Sequence, residues 1–120
     1  MKIAITANGK DLEAALDPRF GRAANFLMVD SETEEFTVLD NAQNLNAAQG
    51  AGIQAAQNVM QAGAEAVITG NCGPKAFRTL GAAKIKVFLS SAATVKEALK
   101  EYKDGKLGES SGANVEGHWV

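Results

Sequence analysis

The sequence predicts a three-layer α/β domain in which a mixed five-stranded sheet is covered by helices on both faces, with its elements in the order βββαβαβα. Three observations lead there. Short apolar runs of strand length punctuate the chain. The second and third of these flank a polar stretch, "SETEE", as the two arms of a hairpin do. From residue 41 onward, runs of strand character alternate with stretches of helical period. A hairpin is antiparallel, whereas strand–helix–strand alternation needs parallel pairing through right-handed crossovers, so the sheet must be mixed. With 120 residues and no Pro- or Ser-rich linker, the chain reads as one unit over residues 1–107 followed by a polar tail, 108–120, with an aromatic end.

"KIAITA" is the first strand. "NFLMVD" and "FTVLD" form the hairpin, with its loop at residues 31–35 and an edge strand in one arm. In "NLNAAQGAGIQAAQNVMQAGAE", Ile53, Ala56, Met60 and Ala64 recur at helical spacing, which predicts a helix of about three turns with Gly63 near its C-terminus. "EAVIT" is the fourth strand. In "PKAFRTLGAA", Pro74 suits a first helical turn because the N–H it lacks would have no partner there, and Gly81 is expected to close that helix. "KIKVFLS", in which Lys84, Ile85, Lys86, Val87 and Phe88 alternate, is the last strand. In "TVKEALKEYKDG", Thr94 and Glu97 form a capping box, Val95, Ala98, Leu99 and Tyr102 share one face, and Gly105 stops the helix.

Composition removes several function classes. Twelve basic and fourteen acidic side chains are interspersed without a basic run, for a net charge of -2, which argues against a nucleic-acid partner. No apolar run approaches the roughly 20 residues of a membrane span, and "MKIAITANGK" has too short an apolar stretch for a signal peptide, so no membrane is expected and a reducing cytoplasm is the default location. A chain of this length buries on the order of two-thirds of its unfolded surface, so neither disulfide nor metal is needed for folding. The single cysteine could not form an internal disulfide in any case.

Ligands of open α/β sheets sit at the carboxyl ends of the parallel strands. That rule selects the loop starting at Asn8, the loop 70–73 and the loop 90–93. In "TGNCGPKAF", Gly70 and Gly73 bracket Asn71 and Cys72 and permit close backbone approach. The helix opened by Pro74 directs N–H groups and a positive dipole end at the loop, where an anion fits. Cys72 beside that helix end has three readings, ranked in this order: an inert turn residue, a metal-cluster contact with a lowered thiol pKa, and a nucleophile. A nucleophile wants a base, and the one histidine, His118, stands three residues from the C-terminus. "GAGIQA" matches G-x-G-x-x-A, but "NAQNLNAAQ" separates it from the preceding strand, so its glycines read as letting a helix start lie close to the sheet or a ligand. "DPRFGRAANF" carries Arg19 and Arg22 around Phe20 and Gly21 where a plain connector needs only a few polar residues. Either the arginines present fixed donors to an anion with Phe20 anchoring the loop, or Asp17 and the arginines make surface pairs; the chemistry weighs the two equally.

"DPRFGRAANF", with a strand before it and "FLMVD" after it, resembles the signature of the dinitrogenase iron-molybdenum cofactor biosynthesis family. "GAGIQAAQNVMQAGAEAVITGNCGPKAFRTLGAAKIKVF" and "SSAATVKEALKEYKDGKL" are similar to that family's second half and closing helix. The resemblance implies a ribonuclease-H-like α/β/α fold. It also implies a domain that binds, carries or senses an iron-sulfur or iron-molybdenum type cluster, or its precursor, with cofactor-assembly proteins as partners, rather than one that turns over a substrate. The matching positions are Arg19, Phe20, Gly21, Arg22, Gly70 and Gly73. Asn8 and Asn71 join them as cofactor-binding candidates, while Cys72 and His118 are soft-ligand candidates on chemistry alone. Several relatives carry a histidine-rich tail where this chain has "GHWV". An anionic cluster satisfied by its own sulfides can be held by arginines, backbone N–H groups and one or two soft ligands, so the expected cluster is transient, and the isolated protein can lack it.

Two other classes compete. An enzyme acting on a phosphorylated small molecule would use the same loops with Lys75 on the phosphate, yet it shows no general base. Nuclease chemistry would need Asp11, Glu13, Asp17 and Asp30 to converge on magnesium, which their spacing does not offer, and fold alone does not license function. A cofactor-free interaction module is the other alternative.

Overall fold

In the computed structural model, which describes residues 1–41 and 50–112, β1 (Lys2–Ala7) is the middle strand of a five-stranded sheet. The strand order is β3-β2-β1-β4-β5, with β2 at Asn25–Asp30, β3 at Phe36–Asp40, β4 at Ala66–Thr69 and β5 at Lys86–Leu89. β1 and β3 each pair antiparallel with β2, and β4 joins β1 and β5 in parallel. Four strands therefore run one way and β2 alone runs against them, which is the mixed sheet and the βββαβαβα order expected.

Alternate residues of the central strands feed two separate cores. Ala4, Phe26, Met28, Val67 and Val87 face α1 (Ala51–Gln61) and α2 (Pro74–Ala82). Ile3, Ile5, Leu27, Val29 and Ile68 face α3 (Val95–Lys103). Because β1 and β4 are buried on both sides, their sequences read as continuous apolar runs rather than alternating ones. Each fully buried Ile or Leu contributes roughly 1.5–3 kcal/mol, so these two layers carry most of the stability.

Three local expectations are corrected. The buried stripe of α1 is Gly52, Ala55, Ala56 and Val59, at i, i+3, i+4 and i+7, with Ala51 beside it, whereas Met60 is exposed and Ile53 only half-buried. Small side chains let the helix lie close to the sheet, a signal that large apolar residues mask. Gly81 lies inside α2 instead of closing it; Lys84 takes the left-handed position with φ 62°. There the N–H of Lys84 donates to Gly81 and that of Ile85 to Leu80, as the N–H groups after α1 and α3 do around Gly63 and Gly105. At the start of α3, Thr94 Oγ1 accepts from Glu97 N–H at 3.2 Å as predicted, but Glu97 reaches back to the N–H of Ala93, one residue earlier than a capping box requires.

Residues 109 and 110, read from sequence as tail, bond to the β5 edge: Glu109 bridges Phe88, and Ser110 N–H donates to Val87 O at 2.7 Å. Among the described residues, no helix is long and apolar enough to cross a membrane.

Candidate functional site

The carboxyl ends of β1, β4 and β5 lie along one edge of the sheet, and the long connector from β1 to β2 is laid across it. Its first half docks on α3. Leu16 N–H donates to Ala93 O, while Ala14 O and Leu12 O accept from the N–H groups of Val95 and Lys96 in the first turn of the helix. With Thr94 taking the N–H of Glu97, the N-terminus of α3 is fully satisfied by protein. The loop 90–93, one of the three that strand topology selects, therefore has no free first-turn N–H group of α3 behind it to offer a ligand.

The connector then crosses the ends of β1 and β4. Asp17 N–H donates to Thr6 O at 3.0 Å, and the Thr6 hydroxyl lies 2.6 Å from Asp17 O and 3.0 Å from Thr69 Oγ1. Its second half latches onto the loop after β4. Asn71 Nδ2 donates to Pro18 O at 2.9 Å, Phe20 N–H donates to Asn71 O at 3.2 Å, and Arg19 and Asn71 form an isolated parallel bridge. Gly70 makes this approach possible, because a Cβ there would lie 2.8 Å from Pro18 Cα and 3.0 Å from Pro18 O. Phe20 is fully buried, its ring 5.3 Å from that of Phe26. Asn41, also buried, donates to the carbonyls of Gly21 and Ala23, and Asn25 donates to Gly9 O.

This scaffold presents Arg19 and Arg22, both half-buried, at the loop surface. Arg19 leans on Asp17, whose Oδ1 accepts from the Arg19 N–H at 3.0 Å and lies 3.5 Å from Nε. Asp17 is buried and its Oδ2 has no hydrogen-bond partner. The carboxylate therefore orients Arg19 from beneath while the rest of the guanidinium fork faces outward, the side chain being 40% exposed. Two residues beyond Asn71, the bridge partner of Arg19, α2 has Gly73 as its N-cap with no side-chain cap, so its first-turn N–H groups and dipole end add to the positive character of the edge, and exposed Lys75 lies in that turn. α1 likewise starts at a glycine, Gly50, without a side-chain cap. Gly50 serves through its φ of 80° rather than through close approach, since a Cβ there would meet nothing within 4 Å.

The structure thus brings Arg19, Phe20, Gly70 and Asn71 together and sets Gly73 at the helix start beside them. Asn8 is exposed on the docked half of the connector, its N–H donating to Ala15 O. Cys72 points elsewhere: it is 1% exposed, packs in the core cluster with Phe20 and Ala76, and burial pushes its thiol up to about 12. The lowered thiol pKa considered from sequence is therefore reversed, because desolvation outweighs the helix end. His118 lies outside the described residues. Asp17, Thr6, Thr69, Asn25 and Asn41 form the polar frame that sequence reasoning missed. From sequence Asp17 reads as a surface ion-pair partner or one of four carboxylates that do not converge, and its position directly before Pro18 is the signal that it ends one half of the connector. Asp30 stands at the opposite end of the sheet, paired with Lys2, and among the described residues no three His, Cys, Asp or Glu side chains group as metal ligands.

Fold and site define an α/β domain whose β1–β2 connector is latched onto the loop after β4 at one edge of the sheet. The chain belongs to the dinitrogenase iron-molybdenum cofactor family, whose model matches residues 1–105. It is 43% identical to the orange protein of Desulfovibrio gigas, solved in its apo form, with a TM-score of 0.91 over 95% of this chain and 96% of that one. A Thermotoga protein of the DUF35 family, provisionally named NifB, is 35% identical with a TM-score of 0.83 over 97% and 98% of the two chains. An uncharacterized Methanocaldococcus jannaschii protein is 30% identical over 109 residues, 89% of each chain.

Proposed function

We propose that this edge holds an anionic metal–sulfur cluster of iron-sulfur or iron-molybdenum type, or its precursor, as cargo, and that the protein binds, carries or senses it during cofactor assembly. The observation that carries the reading is the latched connector, which fixes Arg19 against the loop that leads into the uncapped start of α2, with Arg22 three residues further along the same connector. The donor set fits a preassembled anion: guanidinium groups and backbone N–H groups surround the edge, whereas no cluster of thiolates, imidazoles and carboxylates among the described residues would build or retain a metal centre. Arg19 and Arg22 supply charge and forked hydrogen bonds, Asn8, Asn71 and Gly73 border the cargo, Gly70 admits the Pro18 crossing that builds the edge, and Phe20 and Gly21 set the loop shape. Cys72 as placed is a packing residue, and no catalytic role is assigned to any side chain.

Family membership supports cargo of this class, and a relative solved in an apo form supports a separable ligand. The same reading takes residues 1–107 as the cluster-handling domain, cofactor-assembly proteins as partners and the cytoplasm as the compartment. The ribonuclease-H-like description belongs to it as well, supported by the 3-2-1-4-5 strand order with β2 alone reversed. Lys75 at the start of α2 favours phosphate as the competing anion. The test is anaerobic reconstitution with iron and sulfide, with and without molybdate, followed by metal analysis and visible absorption. Stable colour that excess phosphate does not displace supports cluster cargo; a colourless protein that binds phosphate tightly overturns it.

A further inference from the structure

We propose that the outer face of α2 docks a partner protein through an acidic helix laid along it. The chain contains no aspartate or glutamate between Glu65 and Glu97, whereas that stretch carries five cations, Lys75, Arg78, Lys84, Lys86 and Lys96. These are spaced rather than run together, so the missing acids are what set the segment apart. On α2, Ala76 and Leu80 turn to the core, which puts Lys75 and Arg78, one helical turn apart, on the outward side. Lys84 follows just past the helix end, exposed like the other two. At about 1.5 Å of rise per residue, the three cations extend over roughly 13 Å along the helix. Lys86 lies on the other face of the sheet, because its neighbours Ile85 and Val87 fill the core beneath α2.

None of the three makes an ion pair among the described residues. α1, which packs beside α2, has no charged side chain; its exposed residues include Gln54, Gln57, Gln61 and Met60. The bordering acids are Glu65, whose Oε2 accepts from the N–H of Lys2, and Glu109 on the outer edge of β5, and neither pairs with any of the three. The opposite layer behaves differently. On α3, Lys96 lies 3.6 Å from Glu13, Lys100 2.7 Å from Asp104 and Lys103 2.7 Å from Glu34. One layer therefore balances its cations within the chain, while the other leaves them to be met from outside. Charge complementarity selects the occupant. A second copy presenting the same face would set cation against cation. Three spaced cations also fall short of the basic stripe that tracks a phosphate backbone, so an acidic protein face fits where a nucleic acid does not. The surface does not rest on the cluster reading, since none of its three cations is among the residues assigned to the cargo.

The probe is an alanine-rich peptide of about 18 residues, long enough to hold a helix, with glutamates along one face, compared with one of the same composition whose glutamates are scattered around the helix. Both are titrated at low salt and followed by amide NMR. The one-faced peptide is expected to bind at least about fivefold more tightly, to shift the amides of α2 and of the turn at Lys84, and to lose affinity as salt is raised. Arg78→Glu with Lys84→Glu should weaken it about tenfold, while Lys96→Glu with Lys100→Glu, the same change of charge on α3, should leave it unchanged. Equal binding of the two peptides, equal loss in both pairs of variants, or shifts confined to the arginine connector would overturn the proposal. So would binding of anionic phospholipid vesicles or duplex DNA in place of the one-faced peptide, which would assign the face to lipid or nucleic acid.

Discussion

Replacing Gly70 with alanine tests the latch that builds the site. The new Cβ would sit 2.8 Å from Pro18 Cα, 3.0 Å from Pro18 O and 3.2 Å from Pro18 Cβ. The first two are backbone atoms and cannot swing aside, so residues 17–19 must move as a unit. That movement strains the bonds from Asn71 Nδ2 to Pro18 O and from Phe20 N–H to Asn71 O. Overpacking costs roughly 1–3 kcal/mol and a weakened hydrogen bond about 1 kcal/mol, while a stiffer unfolded chain returns roughly 0.4–1 kcal/mol. The net loss is about 2 kcal/mol, or about 8 °C in Tm for a domain of this size. Gly81→Ala is the matched control. It lies inside α2, a Cβ there meets nothing within 4 Å, and the change should stabilise by about 0.5–1 kcal/mol. Equilibrium denaturation of both variants decides the matter: a Gly70→Ala protein as stable as wild type would refute the reasoning, because it would mean that the connector is not held against the loop after β4.

Asp17→Ala removes the acceptor for Arg19 N–H, worth about 1.5–3 kcal/mol, but also a buried oxygen without a partner that costs about 1–3 kcal/mol, so stability should change little. Anion affinity at the edge should instead rise, because the opposing carboxylate charge beneath Arg19 is removed while the bridge to Asn71 still holds its backbone, and calorimetric titration showing a fall would contradict this. Cys72 should resist alkylation at pH 8 until denaturant is added; rapid labelling of the folded protein would count against its burial. The unfolded thiol ionises near 9.0 and the folded one at about 12, so the unfolded state sheds its proton first. The thiol's contribution is fully present below about pH 9 and is lost toward pH 12, on the order of 1 kcal/mol per unit, a slope that Cys72→Ala should lack in denaturation across that range. Lys84→Gly should stabilise by a few tenths to about 1 kcal/mol by relieving a left-handed lysine, and Gly105→Ala should destabilise by about 1 kcal/mol; thermal melts with the opposite signs would remove the helix-end account.

The order of elements and the mixed pairing were legible because apolar runs, the "SETEE" hairpin and the later strand–helix alternation constrain both strongly, whereas the spatial order of the five strands, with one reversed against four, comes from the structure. The inward face of α1 was not legible, since Gly52, Ala55 and Ala56 carry little hydrophobic signal and Met60 a misleading one. Arg19, Gly70 and Asn71 could be picked out by motif and strand end. What sequence could not show is that they touch, because the contact depends on a connector that docks on α3 before turning back to α2. Cys72 marks the same limit: a helix start lowers a thiol pKa only where the sulfur meets it near solvent, and this one is packed among Phe20, Ala76 and Leu80.

The most direct test of the central claim is anaerobic cluster loading, measured as metal per chain and visible absorption, for wild type, Cys72→Ala and the double variant Arg19→Ala with Arg22→Ala. The account predicts that wild type and Cys72→Ala load alike and that the double variant loses cluster affinity by at least about tenfold, the equivalent of one charge-assisted contact. Loading that survives loss of both arginines, or that disappears with Cys72, would contradict it.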